Sequence, residues 1–135
     1  LNRTQALVLV FMVAAELSIF AIYLADSVTF TQAMRLDQNA SQPASMLALL
    51  AISIIVVVVI AGVFSRWRWL FWVLMIAFLA GPLRVIASAL AVLGVTADSA
   101  PTWYLVFQGG LGIIQLALGL LMLRGYRRAG IWGAF

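Results

Sequence analysis

Between Asp37 and Arg66 the chain carries no charged residue, and between Asp98 and Arg124 it again carries none. Two long apolar stretches fill those intervals, at 46–64 and 103–123, and two more run over 6–25 and 67–95. A bilayer core is crossed by about 20 residues of apolar helix, so each stretch matches one span. The third is long enough to tilt or bend. Strands fit poorly, because a membrane barrel alternates apolar and polar residues and Ile54-Ile55-Val56-Val57-Val58-Val59-Ile60 does not. Such β-branched runs are tolerated in helices once lipid forbids unpaired backbone groups.

Composition closes off the soluble alternatives. Of the 135 residues, 66% are apolar and 9% charged, and the mean hydropathy is +1.16. A soluble domain is nearer half apolar and a quarter charged, and a small one buries only about two-thirds of its surface. A soluble enzyme, a nucleic-acid binder and a disordered tail are excluded. The expected fold is all-α and integral to the membrane: a four-transmembrane-helix bundle with antiparallel neighbours. It forms a single membrane domain over 1–135, with spans at about 6–25, 46–64, 67–95 and 103–123 and a long outer loop at 27–45. The first span exceeds the short apolar core of a signal peptide. The chain begins at Leu1 rather than Met, which suggests a trimmed N-terminus.

Arginine placement sets the orientation. Arg3, Arg66, Arg68, Arg124, Arg127 and Arg128 fall at one end of the spans, whereas Asp26, Arg35, Asp37 and Asp98 fall at the other. The positive-inside rule places both termini in the cytoplasm (N-in, C-in), and a bacterial plasma membrane is the expected location. Trp67, Trp69, Tyr126 and Trp132 mark the inner interface, and Tyr23, Trp103 and Tyr104 the outer one. Anionic lipid is the expected partner of Arg66, Arg68, Arg124, Arg127 and Arg128. Nucleic acid is not expected; a homodimer or a larger membrane complex is compatible with so thin a bundle. In the first loop, Val28, Phe30, Ala33, Met34 and Leu36 are spaced for a short interfacial helix or an extension of the first span. Asn39-Ala40-Ser41 is a glycosylation triplet, and triplets of this kind arise often by chance.

The chain lacks Cys, His and Lys. Thiolate chemistry, histidine bases and ligands, and Schiff bases are therefore absent. No metal and no cofactor is expected, and no catalytic residue is assigned.

Depth singles out the remaining candidates. Glu16, Ser53, Arg84 and Gln115 each fall near the middle of a span. A charge at the bilayer centre costs about 2.5–3.5 kcal/mol on insertion scales, so the economical arrangement joins Glu16 to Arg84, with Gln115 completing the set. An Arg fork can hold a carboxylate through two hydrogen bonds. Helical spacing agrees: Gln108, Gly112, Gln115 and Gly119 share a face, as do Ala77, Gly81, Arg84, Ser88 and Ala91. Gln5, Met12, Glu16, Tyr23 and Ser27 line one side of the first span. Small residues on such faces let helices approach closely. Pro82 removes a helical bond and frees the Phe78 carbonyl, so a kink is expected beside Arg84. The candidate binding set is thus Glu16, Arg84, Gln115, Ser53, Tyr23, Ser88, Phe78 and Pro82. The plainer reading is that the buried pair only fixes which helix meets which.

Three functional classes are compatible with this pattern. The first is an accessory or scaffold protein without catalytic machinery, or a bundle binding lipid or a small molecule at the Glu16-Arg84-Gln115 seam. The second is a proton-coupled transporter. In chain size and in Ala15-Glu16 of the first span, the sequence resembles the small multidrug resistance exporters. That resemblance implies a dimer whose membrane carboxylate exchanges protons for drug cations. The long first loop, Pro82 and Arg84 depart from that pattern, and an Arg beside Glu16 would hold the acid charged. The third is a lipid-acting membrane enzyme with Glu16 as base and Arg84 as anion clamp.

Overall fold

The computed structural model describes residues 1–33, 42–95 and 101–135. Every regular element among them is helical: α1 (Arg3–Ala25), α2 (Ser27–Ala33), α3 (Gln42–Phe64), α4 (Arg68–Leu79), α5 (Gly81–Val92) and α6 (Thr102–Ala129). Four helical segments are long and apolar enough to cross a membrane: α1, α3 from Ala44, α4 with α5, and α6. The chain is a small helical membrane protein. The β-branched run in α3 is helical throughout. Arg35, Asp37 and the Asn39 triplet of the first loop, and Asp98 of the third, lie outside the described residues.

Local sequence explains the boundaries. Asn2 and Gln5 form a capping box at the start of α1: Asn2 Oδ1 accepts from the Gln5 N–H at 2.9 Å, and Gln5 Oε1 accepts from the Asn2 N–H at 3.3 Å. Asp26 ends α1 and caps α2, its Oδ1 accepting from the Thr29 N–H at 3.1 Å and its Oδ2 from the Thr29 hydroxyl at 2.6 Å. Both donors hold the Asp26 carboxyl below the ordinary aspartate range, the hydroxyl more than the amide. Arg66 turns the chain between α3 and α4 with φ at 54°, in the left-handed region.

The kink expected at Pro82 is an interruption at Ala80, inside a segment that still makes one span. Helix α4 stops at Leu79, Ala80 takes φ −79° and ψ 0°, and Pro82 occupies the first turn of α5, where its missing N–H costs nothing.

The core lies toward one end. Val8 and Leu9 of α1, Val63 of α3, Leu118 and Met122 of α6 and Trp132 surround the α4 stripe of Leu70, Phe71, Leu74, Met75 and Phe78. The chain beyond α6 turns through Gly130 (φ 85°) and Trp132 (φ 57°), which returns the Trp132 ring to the bundle. Trp132 is 1% exposed, and its ring meets Phe71 edge-on at 5.3 Å.

The expected close approach of small faces is present. A Cβ on Gly112 would fall 2.7 Å from the Gly81 carbonyl oxygen, and one on Gly119 would fall 2.9 Å from the Leu79 nitrogen. These glycines let α6 press directly on the α4–α5 backbone. Helix α3 lies chiefly against α1, with Leu49, Val56 and Val63 buried at heptad spacing.

Candidate functional site

Glu16 meets α3. Its Oε1 accepts from the Ser53 hydroxyl at 2.5 Å, and that hydroxyl also lies 2.8 Å from the Leu49 carbonyl oxygen. One hydroxyl proton serves only one of these acceptors fully at a time. The other carboxyl oxygen, Oε2, is buried with no hydrogen-bond partner among the described residues.

The expected pairing of Glu16 with Arg84 is not formed. Arg84 is exposed on α5 and, among the described residues, makes no hydrogen bond or ion pair. The reason is which helices pack together. Gly81 against Gly112, and Ser88 beside Gly109, commit the small face of α5 to α6. Arg84 rides at the edge of that contact, with its Cβ over Gly112. Helix α1 packs chiefly against α3 instead. Gln115 is half-buried on α6 and, among the described residues, makes no side-chain hydrogen bond. The three-residue seam is therefore not assembled, and neither is a pocket joining guanidinium, carboxylate and a freed Phe78 carbonyl.

The other candidates serve packing. Phe78 meets Phe11 edge-on at 5.4 Å, and Tyr23 meets Phe30 at 5.1 Å. Ser88 is buried against α6, and Pro82 is half-buried where α5 begins.

A second polar constellation closes the core end. Gln5, 1% exposed, donates from Nε2 to the Val63 carbonyl at 2.7 Å, and its Oε1 accepts from Arg66 Nε at 3.1 Å. Thr4 donates to the Gly133 carbonyl at 2.8 Å, and Asn2 Nδ2 donates to the Trp132 carbonyl. Trp132 Nε1 donates to the Trp67 carbonyl at 2.9 Å. Segments far apart in sequence are thus tied through backbone carbonyls. The spacing Asn2-x-x-Gln5 is the one sequence signal for this region, since it matches a capping box. Nothing in the sequence indicates that Trp132 folds back.

Open grooves line the surface. One, of about 470 Å³, is bordered by Arg66, Arg68, Tyr126, Gly130, Ile131 and Trp132. A second, of about 570 Å³, is bordered by Leu120, Leu123, Arg124, Arg127 and Arg128 of α6. A third, of about 430 Å³ and wholly apolar, runs between α1 and α3 past Val13 and Leu17. Comparison with protein-family models, curated proteins and solved structures finds no match to this chain, so its chemistry is read from these residues alone.

Proposed function

We propose that this protein is a non-catalytic accessory subunit of a membrane assembly, anchored to a neighbouring transmembrane helix through Arg84. The observation that carries the reading is an exposed guanidinium within an apolar span, with no partner among the described residues. Facing hydrocarbon, such a group costs about 2.5–3.5 kcal/mol. Reaching the nearer interface does not easily relieve that cost. The Cα–Cβ bond of Arg84 tilts toward the start of α5, away from the nearer end of the span at Val92. A carboxylate on another helix at the same depth removes the cost. The chain's own Glu16 does not supply it, being held by Ser53.

The arrangement we infer is a single membrane domain over 1–135 in a bacterial plasma membrane. Neighbouring spans run antiparallel, and both termini are cytoplasmic. Gathering Arg3, Arg66, Arg68, Arg124, Arg127 and Arg128 at one end supports that orientation. The test is particle mass after extraction from native membranes in nanodiscs. The wild-type chain should travel in a particle well above its own 14.7 kDa. Arg84→Leu should release it as a folded monomer, while Arg84→Lys should retain it. A monomeric wild-type chain, or an Arg84→Leu chain still assembled, rejects the reading.

A second reading rests on Glu16. With no guanidinium against it and no donor to the buried Oε2 among the described residues, the carboxyl offers a place for a proton or a small cation. The objection that Arg84 holds the acid charged does not apply to this geometry. Proton-coupled movement of a small cationic compound would then depend on Glu16. In liposomes, Glu16→Gln should abolish compound-driven proton flux; absence of flux in the wild type across a broad panel of cations removes this reading.

A further inference from the structure

The groove formed by the α3–α4 turn and the returning chain end differs in kind from a general basic surface. Arg66 is held in place from two directions. Its backbone occupies the left-handed region and its N–H donates to the Val63 carbonyl at 3.2 Å. Its side chain donates from Nε to Gln5 Oε1. Gln5 is itself immobilised, because its amide also donates to the Val63 carbonyl and accepts from the Asn2 N–H. The Nε bond fixes the guanidinium plane, and the terminal nitrogens have no partner among the described residues. The side chain of Arg68 and the Tyr126 hydroxyl, on the same groove, likewise have none.

Among the described residues no acidic side chain answers these donors. The acids among the described residues are Glu16, held on α3, and Asp26, which caps α2. Two guanidinium groups and a phenol around one groove match a phosphate, which accepts several N–H and O–H bonds at once. Gly130, Ile131 and the buried Trp132 supply an apolar floor to the same groove. Trp67, Trp69, Trp72 and Tyr126 leave aromatic surface exposed around it, as rings do at the level of lipid headgroups.

We propose that this groove is a specific site for the phosphate of an anionic phospholipid, with Arg66 as its fixed ligand and Arg68 and Tyr126 closing on it. The groove of Arg124, Arg127 and Arg128 is the contrast. Its arginines come from one helix, and no hydrogen bond among the described residues positions them. It attracts anionic lipid only through general charge. This site is independent of the role assigned to Arg84.

The experiment is native mass spectrometry of the purified protein released from mixed micelles. Phosphatidylglycerol, phosphatidylcholine and inorganic phosphate serve as probes. Phosphatidylglycerol should remain bound where phosphatidylcholine is lost. Each of Arg66→Gln and Arg68→Gln should weaken it about fivefold, as expected for about 1 kcal/mol per arginine near an anionic headgroup. Arg127→Gln should change it less than about twofold, because an exposed arginine that no hydrogen bond positions adds little. Since Arg66→Gln also disturbs the Gln5 bonds, Arg68→Gln and Tyr126→Phe carry the test if that variant fails to fold. Equal retention of both lipids, equal loss on Arg127→Gln and Arg68→Gln, or displacement of the lipid by millimolar inorganic phosphate each overturns the proposal.

Discussion

The two ends of this bundle are built differently. Where the chain's first and last segments meet, α1, α3, α4, α6 and the Trp132 segment all contribute buried side chains, tied by bonds from Asn2, Thr4, Gln5 and Trp132 to backbone carbonyls. Beyond Leu9, no residue of α1 is fully buried. There the molecule is held by pairs of helices: α1 with α3, and α5 with α6. The difference teaches where rigidity comes from in lipid. Apolar side chains gain little by leaving lipid for protein, so helices are fixed by close backbone approach and by polar bonds. The closed end has both kinds. The opposite half has glycine contact on one side and the Glu16–Ser53 bond on the other.

The strongest way to break the contrast is to remove its keystone. Trp132→Ala takes away the ring on Phe71 and the bond to Trp67, and should destabilise the protein by about 3–5 kcal/mol. Unfolding in detergent, followed by tryptophan emission or circular dichroism, measures this. A loss below 1 kcal/mol would mean that the returning segment does not hold the closed end. Gly112→Val acts on the other half. Its side chain would meet the Gly81 carbonyl and Val85, so α5 should be forced from α6 at a cost of about 1–3 kcal/mol. Crosslinking between cysteines placed on α5 and α6 should fall, while the α4 core keeps its protection from hydrogen exchange. Equal loss of protection in both halves would show them to be one cooperative unit.

The smallest effect concerns Asp26. Its carboxyl is held below the ordinary range by the Thr29 hydroxyl and amide, so the charged form favours the folded cap. That contribution is fully present above the unfolded-state value and is lost as pH falls through the lowered folded-state value. Exchange at the Thr29 amide should therefore rise, relative to neighbouring helix amides, as the medium is acidified through that range. Asp26→Asn should remove this pH dependence. A wild-type cap indifferent to acid would separate the second helix from any control by Asp26.

Much of this architecture is legible in the sequence. The spacing of charges marks the helices, and Gly81, Gly112 and Gly119 mark the faces that approach. Pro82 marks the break to within two residues. The partner of Glu16 is harder to read. Depth follows from position along a span, but which neighbour a face meets depends on how helices are arranged around one another. Small residues matched α5 to α6 more strongly than charge matched α5 to α1. A weaker signal did exist: Leu49, Ser53, Val56 and Val63 share one face of α3, which places Ser53 toward the helix that α3 packs on. The Trp132 turn has no such signal, because it depends on left-handed backbone at a non-glycine residue, sustained by partners distant in the chain.

The break at Ala80 divides one span into two rods with different loyalties. The first rod is embedded in the aromatic cluster, and the second packs chiefly on α6. Because α6 packs on both rods, Gly119 against Leu79 and Gly112 against Gly81, it splints the interruption from outside, and a push on Arg84 would reach the core through Leu118 and Met122.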